Sequence, residues 1–423
     1  MIRNKMSLEK YENKFKVVTF GCRLNHYESD VMQKNAELDN QENIIVINTC
    51  AVTNEAERQC KQEIRKLKKL NPQSKIYATG CAVQLNPDEF IKMDEVDSVI
   101  GNEYKTKRNI FSYLEDKNYL VTDIMKTVST NKIMVVNNGH KARTNLEIQQ
   151  GCDHRCTFCI IPFARGNNRS TPIGELVNCT RELVQSGFKE VTLTGVDICS
   201  YGSDLPGKPR LGQMLKRLLK LIPELPRLRL SSLDPAEVDD ELIDLIKNEE
   251  RLLPYFHLSV QSGDNIILKR MKRRHSREDA IEVARKIKSA RPESVIGSDI
   301  ITGFPTETEI NFQNTMKLID DAHLTKLHVF PFSPKAGTPA SKMPQVNPHL
   351  VKERARKVRQ KGNDNFKNIM NSQLGKNVKV LVEKENKGYT ENYLPVKIIS
   401  SAKEGELLNV TISRKTDKFL IAS

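Results

Sequence analysis

The sequence predicts an α/β protein built in three parts: a parallel sheet covered by helices, a partial (β/α)6 barrel, and a small antiparallel β-barrel. Three observations lead there. Strand-like apolar runs alternate with amphipathic helical stretches from the N-terminus to about residue 366. The alternation lengthens from about residue 139 and supplies six βα units in a row. Residues 373–423 then abandon helices for short β-rich runs interrupted by Gly388, Pro395 and Gly405. A chain of 423 residues has room for two or three domains.

Residues 1–138 hold strand-like runs at 16–20, 44–48 and 75–79. Helical runs lie between them. The clearest is Asn54–Leu70, with Ala56, Cys60, Ile64 and Leu67 on one stripe. This order implies a Rossmann-like parallel sheet. Residues 139–366 offer strands at 146–150, 190–194, 227–231, 256–260, 295–301 and 327–332, separated by helical patterns such as Ile173–Gln185, 215–221 and 277–289. An open or partial barrel of this kind carries its chemistry at the C-terminal mouth. A basic helical stretch, 351–367, connects to the tail, whose strand-like runs are 378–382, 394–399 and 407–412.

Hydrophobic residues make up 38% of the chain and charged residues 28%, which supports packed cores and excludes wholesale disorder. The opening residues MIRNKMSLEKYENKF have no apolar stretch suited to a signal peptide, and no segment approaches the ~20 apolar residues of a membrane span, so the expectation is a soluble, cytoplasmic protein. A net charge of +14 suits a polyanionic partner. Charge alone leaves RNA, DNA, a membrane surface and a generally basic surface open. Nine cysteines without an export signal point to metal ligands, catalytic groups or core positions rather than disulfides.

Cysteine placement narrows the choice. Each of the first three strand runs ends in one, as TFGC, INTC and ATGC, giving Cys22, Cys50 and Cys81. Parallel strands bring their C-terminal ends to one edge, where open α/β sheets bind ligands. Three thiols meeting there suit a metal or cluster, although cysteine also serves as a small core residue. A second set, Cys152, Cys156 and Cys159, follows a predicted strand with the spacing C-x3-C-x2-C. Three thiolates on so short a loop can hold three irons of a [4Fe–4S] cluster and leave the fourth without a protein ligand. Zinc with His154 as fourth ligand is the structural alternative; the loop is tight for tetrahedral geometry, and no second CxxC pair follows. Cys60 and Cys179 read as core, and Cys199 follows a strand end.

The C-x3-C-x2-C loop, with Phe158 before its last cysteine, resembles the signature of the radical S-adenosylmethionine superfamily. The series TFGCRLNHYES, INTCAVTNEAERQ, ATGCAVQ, IQQGCDHRCTFCIIPFARGNNRS, HLSVQSG, DIITGFP and HVFPFSPKAGTPA resembles its methylthiotransferase family over nearly the whole chain. The resemblance implies two [4Fe–4S] clusters, one on Cys152, Cys156 and Cys159 with S-adenosylmethionine on its open iron, the other on Cys22, Cys50 and Cys81. It also implies a radical-SAM core and an RNA-binding tail barrel of the TRAM type, matched by VKVLVEKENKGYTENYLPVKI. Arg23-Leu24-Asn25, Tyr27-Glu28-Ser29 and Val52-Thr53 are most like the branch that acts on N6-threonylcarbamoyladenosine in tRNA. In that branch one S-adenosylmethionine methylates a sulfur at the N-terminal cluster, and a second yields the radical that takes hydrogen from C2 of the adenine.

Phe158, Thr194, Gly195, Ser231, Ser232, Gln261, Ser262 and Gly303 are the candidates to bind S-adenosylmethionine, most of them at predicted strand ends. Turn and capping roles suit several of them equally. Thr194-Gly195-Val196-Asp197 departs from the Gly-Gly-Glu-like strand end common in radical enzymes. Arg165, Arg169 and the run Lys269, Arg270, Lys272, Arg273 and Arg274 are candidates to meet tRNA phosphates, and Tyr389 and Tyr393 to stack on bases. An electron donor such as flavodoxin or ferredoxin, and a monomeric enzyme away from membranes, complete the expectation. Isopentenyladenosine in tRNA or a ribosomal-protein aspartate is the alternative substrate. A non-catalytic metal-containing RNA-binding protein is the alternative of another class.

Overall fold

The computed structural model describes residues 14–114, 117–130 and 142–422. Its first strands, β1 (Phe15–Thr19), β2 (Ile44–Thr49), β3 (Lys75–Gly80), β4 (Ser98–Ile100) and β5 (Tyr119–Leu120), pair in parallel in chain order. All six residues of β2 are buried, as a strand covered on both faces requires. Alternate residues feed two cores. Ile45, Ile47, Ile76 and Ala78 face one, and Val46, Tyr77 and Ile100 face the other. Helix Asn54–Leu70 has the expected bounds and buries the expected stripe of Ala56, Cys60, Ile64 and Leu67. Thr53 caps it, with Glu55 and Glu57 in its first turn and Lys68 and Lys69 in its last, each sign complementing the helix dipole. The short strands β4 and β5 went unread in the sequence because three and two residues carry no period.

Together with Gly151–Asp153 and Cys159–Asn167, this sheet and its helices form one compact unit; the rest of the described chain forms a second. In the second unit, six strands run parallel: β6 (Arg143–Gln150), β8 (Glu190–Gly195), β9 (Leu228–Leu230), β11 (Tyr255–Gln261), β12 (Val295–Thr302) and β13 (Leu324–Pro331). Two short strands join them: β7 (Arg169–Ser170), antiparallel to β6, and β10 (Ser232–Leu233), parallel to β11. The wall of the expected barrel comes as two sheets, β7-β6-β8-β9 and β10-β11-β12-β13, with Ser231 alone between β9 and β10. Strands β6 and β13 each begin three residues earlier than the apolar pattern suggested, because their leading residues include the polar Arg143, Asn145 and Lys326.

Helix Pro348–Asn371 leads to the tail, a closed barrel of β14 (Asn377–Val382), β15 (Lys387–Thr390), β16 (Pro395–Ile398), β17 (Leu407–Lys415) and β18 (Leu420–Ala422). One pairing departs from the antiparallel expectation: β16 and β18 are parallel and close the barrel. Val380, Val382, Val396, Ile398, Ile412 and Leu420 fill its core.

The tail tyrosines require a correction. The rings of Tyr389 and Tyr393 stack on each other at 4.7 Å, and Tyr255 packs against Tyr393 at 5.0 Å. The guanidinium of Arg229 lies 4.6 Å and that of Arg143 5.2 Å from the Tyr393 ring. The Lys326 ammonium sits 4.4 Å from the same ring and donates to the Tyr393 carbonyl at 2.8 Å. Beneath them, buried Glu190 meets Arg229 at 2.8 Å and Arg227 at 3.2 Å. Burial opposes its charge, but the arginines outweigh it and hold the carboxyl below its usual range. Tyr389 and Tyr393 therefore seat the tail barrel on the leading ends of the central strands rather than offering free faces to bases. Tyr393→Ala removes the ring at the centre of this contact. It should lower stability by about 2–4 kcal/mol in chemical denaturation, with earlier proteolysis of the tail.

Candidate iron–sulfur centres

The ends of β1, β2 and β3 converge. Cys22 directly precedes helix Arg23–Leu38, Cys50 directly follows β2, and Cys81 opens helix Cys81–Leu85. Two glycines make room. Gly21 has φ +99°, and a Cβ there would lie 2.9 Å from Cys50 Sγ; Gly80 has φ +97°, and a Cβ there would lie 2.4 Å from the Thr49 carbonyl oxygen. Neither position tolerates a side chain, which explains the glycine before the cysteine in TFGC and ATGC. Burial pushes the Cys50 thiol well up, and the neighbouring thiols of Cys81 and Cys22 push it further. Three cysteines brought to one sheet edge, with room made by the two glycines, are a donor set that fits an iron–sulfur cluster.

A buried ion network lies against these thiols. Arg165, Glu28 and Lys105 are almost wholly enclosed. Arg165 grips Glu28 through both terminal nitrogens, one at 2.9 Å, and Lys105 reaches the same carboxylate at 2.6 Å. Burial opposes the charge on Glu28, but Arg165 and then Lys105 outweigh it and hold the carboxyl at about 2. Arg165 also donates to Asn25 Oδ1, and its Nε donates to Cys81 Sγ at 3.2 Å. Asn25 donates to the carbonyls of Phe20 and Thr49, and Asn48 donates to the Asn25 carbonyl and to Ser29. The residues quoted from RLNHYES are thus the scaffold of the thiol site. The assignment of Arg165 to tRNA phosphates is overturned, because its guanidinium is enclosed and paired. Arg169 is buried as well and does not present itself to a phosphate.

The loop bearing Cys152, Cys156 and Cys159 has no regular secondary structure, and all three residues are partly accessible. Gly151 takes φ +72° where a Cβ would strike the Asn167 carbonyl oxygen at 1.8 Å, and the Cys152 amide donates to Gly166 at 3.0 Å. In the second unit, His154 meets Asp197 at 2.9 Å and Ser200 at 3.3 Å. Arg273, expected at a phosphate, turns inward instead. It pairs with Asp234 at 3.0 Å, donates to the Ser259 carbonyl at 2.8 Å and approaches Cys156 Sγ at 3.7 Å. Arg274, although exposed, is held by Glu237 at 2.6 Å and by Asp234 at 3.2 Å; Lys269, Arg270 and Lys272 are exposed too.

The strand-end candidates divide. Thr194 and Gly195 end β8, where a Cβ on Gly195 would lie 2.7 Å from the Gln149 carbonyl oxygen. Gln149 also accepts from the Asp197 amide at 2.8 Å, so this strand end is clamped to β6 and the Asp197 side chain is left for His154. Ser231 is nearly buried, Ser232 is exposed, and Gln261 ends β11 at φ +75°. Ser262 is fully buried; its hydroxyl accepts from the Asp264 amide and meets Thr315, so it is engaged in the turn that leads to the next helix. Gly303 has a packing reason for its missing side chain, since a Cβ would lie 2.3 Å from Val351 Cγ2. Phe158 packs edge-on to Phe304 at 6.4 Å. The sequence reading missed a polar set on β11–β13: His257 and His328 lie 3.1 and 3.3 Å from Asp299 Oδ1. Histidines separated by long stretches of chain give no spacing to notice.

Residues 146–319 match the radical SAM superfamily, and residues 14–101 match an uncharacterized protein family, UPF0004. Over 382 residues the chain is 52% identical to the threonylcarbamoyladenosine tRNA methylthiotransferase MtaB of Rickettsia prowazekii, covering 90% of each. The chain belongs to this methylthiotransferase family. The MtaB protein of Aquifex aeolicus is 38% identical over 93% of this chain and 98% of its own. The tRNA-2-methylthio-N(6)-dimethylallyladenosine synthase of Oceanobacillus iheyensis is 34% identical over 89% of this chain and 77% of its own. The radical S-adenosylmethionine methyltransferase TsrM of Kitasatospora setae shares the fold at a TM-score of 0.58 and 12% identity, covering 78% of this chain and 75% of its own. No helix among the described residues is long and apolar enough to cross a membrane.

Glu28 carries a pH signature. Its carboxyl is held at about 2 instead of the ordinary 4.5, so the network's contribution is complete above about pH 4.5 and is lost as pH falls towards 2. Acid titration of the anaerobic protein should show this slope, and Glu28→Gln should abolish it. That variant should also be less stable at neutral pH by about 3–5 kcal/mol, because it leaves buried cations unmatched.

Proposed function

We propose that this protein methylthiolates C2 of N6-threonylcarbamoyladenosine at position 37 of tRNA, next to the anticodon, to give 2-methylthio-N6-threonylcarbamoyladenosine. The observation that carries the choice of substrate is the 52% identity to a threonylcarbamoyladenosine tRNA methylthiotransferase over 90% of both chains, against 34% to a tRNA-2-methylthio-N(6)-dimethylallyladenosine synthase. Cys152, Cys156 and Cys159 hold the [4Fe–4S] cluster of the radical SAM family. With S-adenosylmethionine bound, that centre supplies reductive cleavage of the sulfonium. Cys22, Cys50 and Cys81 hold a second cluster, a reading supported by their convergence at one sheet edge and by the two glycines that admit them.

The protein's own residues do the orienting. His154 pinned to Asp197, and Arg273 pinned between Asp234 and Ser259, fix the loop around Cys156. Thr194, Gly195, Ser231, Ser232 and Gln261 stand at strand ends where the methionyl and nucleoside parts of S-adenosylmethionine would lie. Exposed Lys269, Arg270 and Lys272 meet tRNA phosphates, which position the substrate without reading its sequence. The enzyme works in the cytoplasm as a monomer and draws single electrons from a carrier such as flavodoxin or ferredoxin.

Nucleoside mass spectrometry on tRNA from a deletion strain tests the substrate. The expected result is loss of 2-methylthio-N6-threonylcarbamoyladenosine with its unmethylthiolated precursor retained. An unchanged profile, or loss of the isopentenyladenosine counterpart instead, rejects it. Anaerobically reconstituted protein should carry about eight irons and lose about four on Cys22→Ala or Cys156→Ala. Replacing Lys269 and Lys272 with Glu should raise KM for tRNA several-fold and flatten its salt dependence while leaving iron content unchanged.

A further inference from the structure

The Arg165 network does more than fill the space beneath three thiols. Arg165 and Lys105 both bear on the single carboxylate of Glu28. Arg165 turns its Nε to Cys81 Sγ at 3.2 Å. The guanidinium is held in place from three sides, by both carboxylate oxygens of Glu28, by Asn25 Oδ1 and by the thiol, so its direction is fixed. Asn25 is in turn fixed by two backbone carbonyls. A charge locked in this way, out of water, acts on a neighbouring sulfur with little screening.

The delivery route of this side chain is equally specific. Arg165 ends helix Ile161–Arg165, which follows the last loop cysteine, Cys159. Ala164, Ile160 and Ile161 pack into the same apolar core as Cys81, Ala82 and Val83, and Asn102 holds the Ala164 carbonyl at 2.7 Å. Cys152 is bound through its amide to Gly166, the residue after Arg165. The segment that follows Cys159 and holds Cys152 through its amide thus also carries the cation that meets Cys81.

We propose that Arg165 is a positioning residue that orients Cys81 and sets the reduction potential of a cluster held by Cys22, Cys50 and Cys81. The inference rests on the reading that these thiols hold a cluster. Reduction adds negative charge to a cluster, so a fixed cation donating to a ligating sulfur favours the reduced state and raises the potential. Glu28 orients that cation and opposes it in sign.

The test uses the full-length chain with Cys152, Cys156 and Cys159 replaced by Ala, so that any cluster signal arises from the other three cysteines. The protein is reconstituted anaerobically and titrated with dithionite while the reduced cluster is followed by electron paramagnetic resonance, with iron counted per chain. Arg165→Gln should move the potential down, Glu28→Gln should move it up, and Arg165→Lys should fall between the native chain and Arg165→Gln. Loss of the cluster in Arg165→Gln with retention in Arg165→Lys supports the positioning role, and the sign is then read from Glu28→Gln. Potentials unmoved in the variants that retain iron, or moved in the opposite directions, overturn the proposal. If adding Cys81→Ala leaves the iron count of this background unchanged, the cluster reading itself fails instead, which separates the two.

Discussion

The buried contact among Arg165, Glu28 and Lys105 is the constraint on which the N-terminal unit depends. Burying charges is costly unless each finds a partner, and three together are tolerated only because their geometry is closed by hydrogen bonds. Here the closure comes from Asn25 and Asn48, themselves tied to strand-end carbonyls and to Ser29. The ends of β1 and β2 are consequently fixed by side chains as well as by the sheet ladder. Thiols mounted on those ends inherit that rigidity. For the cluster proposed there this matters, because a metal cluster tolerates little error in ligand position and a preformed ligand set lowers the cost of assembling it.

The two cysteine sets are built by different means. Cys22, Cys50 and Cys81 come from distant parts of the chain and meet because parallel strands end on a common edge. Cys152, Cys156 and Cys159 are neighbours in sequence, and their loop is held by contacts from outside it: the Gly166 carbonyl to Cys152, Asp197 to His154, and Arg273 to Cys156. The first arrangement depends on a sheet braced by the buried Arg165 network, whereas the second depends on a few polar contacts to a short loop. Substitutions at a distance should therefore disturb the loop more readily than the strand-end set.

Much of the architecture was legible in the sequence. Helix Asn54–Leu70 and its buried stripe came directly from a 3.6-residue period, and the three strand-end cysteines came from short apolar runs stopped by Gly-Cys or Thr-Cys. What failed did so for identifiable reasons. Strands facing a polar interior, such as the start of β6, have no apolar alternation to read. A basic residue in a sequence looks the same whether it is solvated or buried against a carboxylate, so the sequence alone assigns Arg165 and Arg273 to the RNA surface. Only the fold brings Glu28 and Asp234 to them. Tyr389 and Tyr393 misled similarly, because an aromatic ring in a small barrel suits a base and a guanidinium equally well.

The seat of the tail barrel has a further consequence. Glu190, Arg229 and Tyr255 lie under Tyr393, and the barrel's own loop covers them: Arg229 reaches the Glu391 carbonyl, and Asn392 reaches the Glu293 carbonyl. A chain ending before the barrel would flood a buried salt cluster and strip an aromatic floor from the central strands. The tail is therefore part of the foundation of the second unit, and its loss disturbs folding in ways that mimic a loss of RNA affinity.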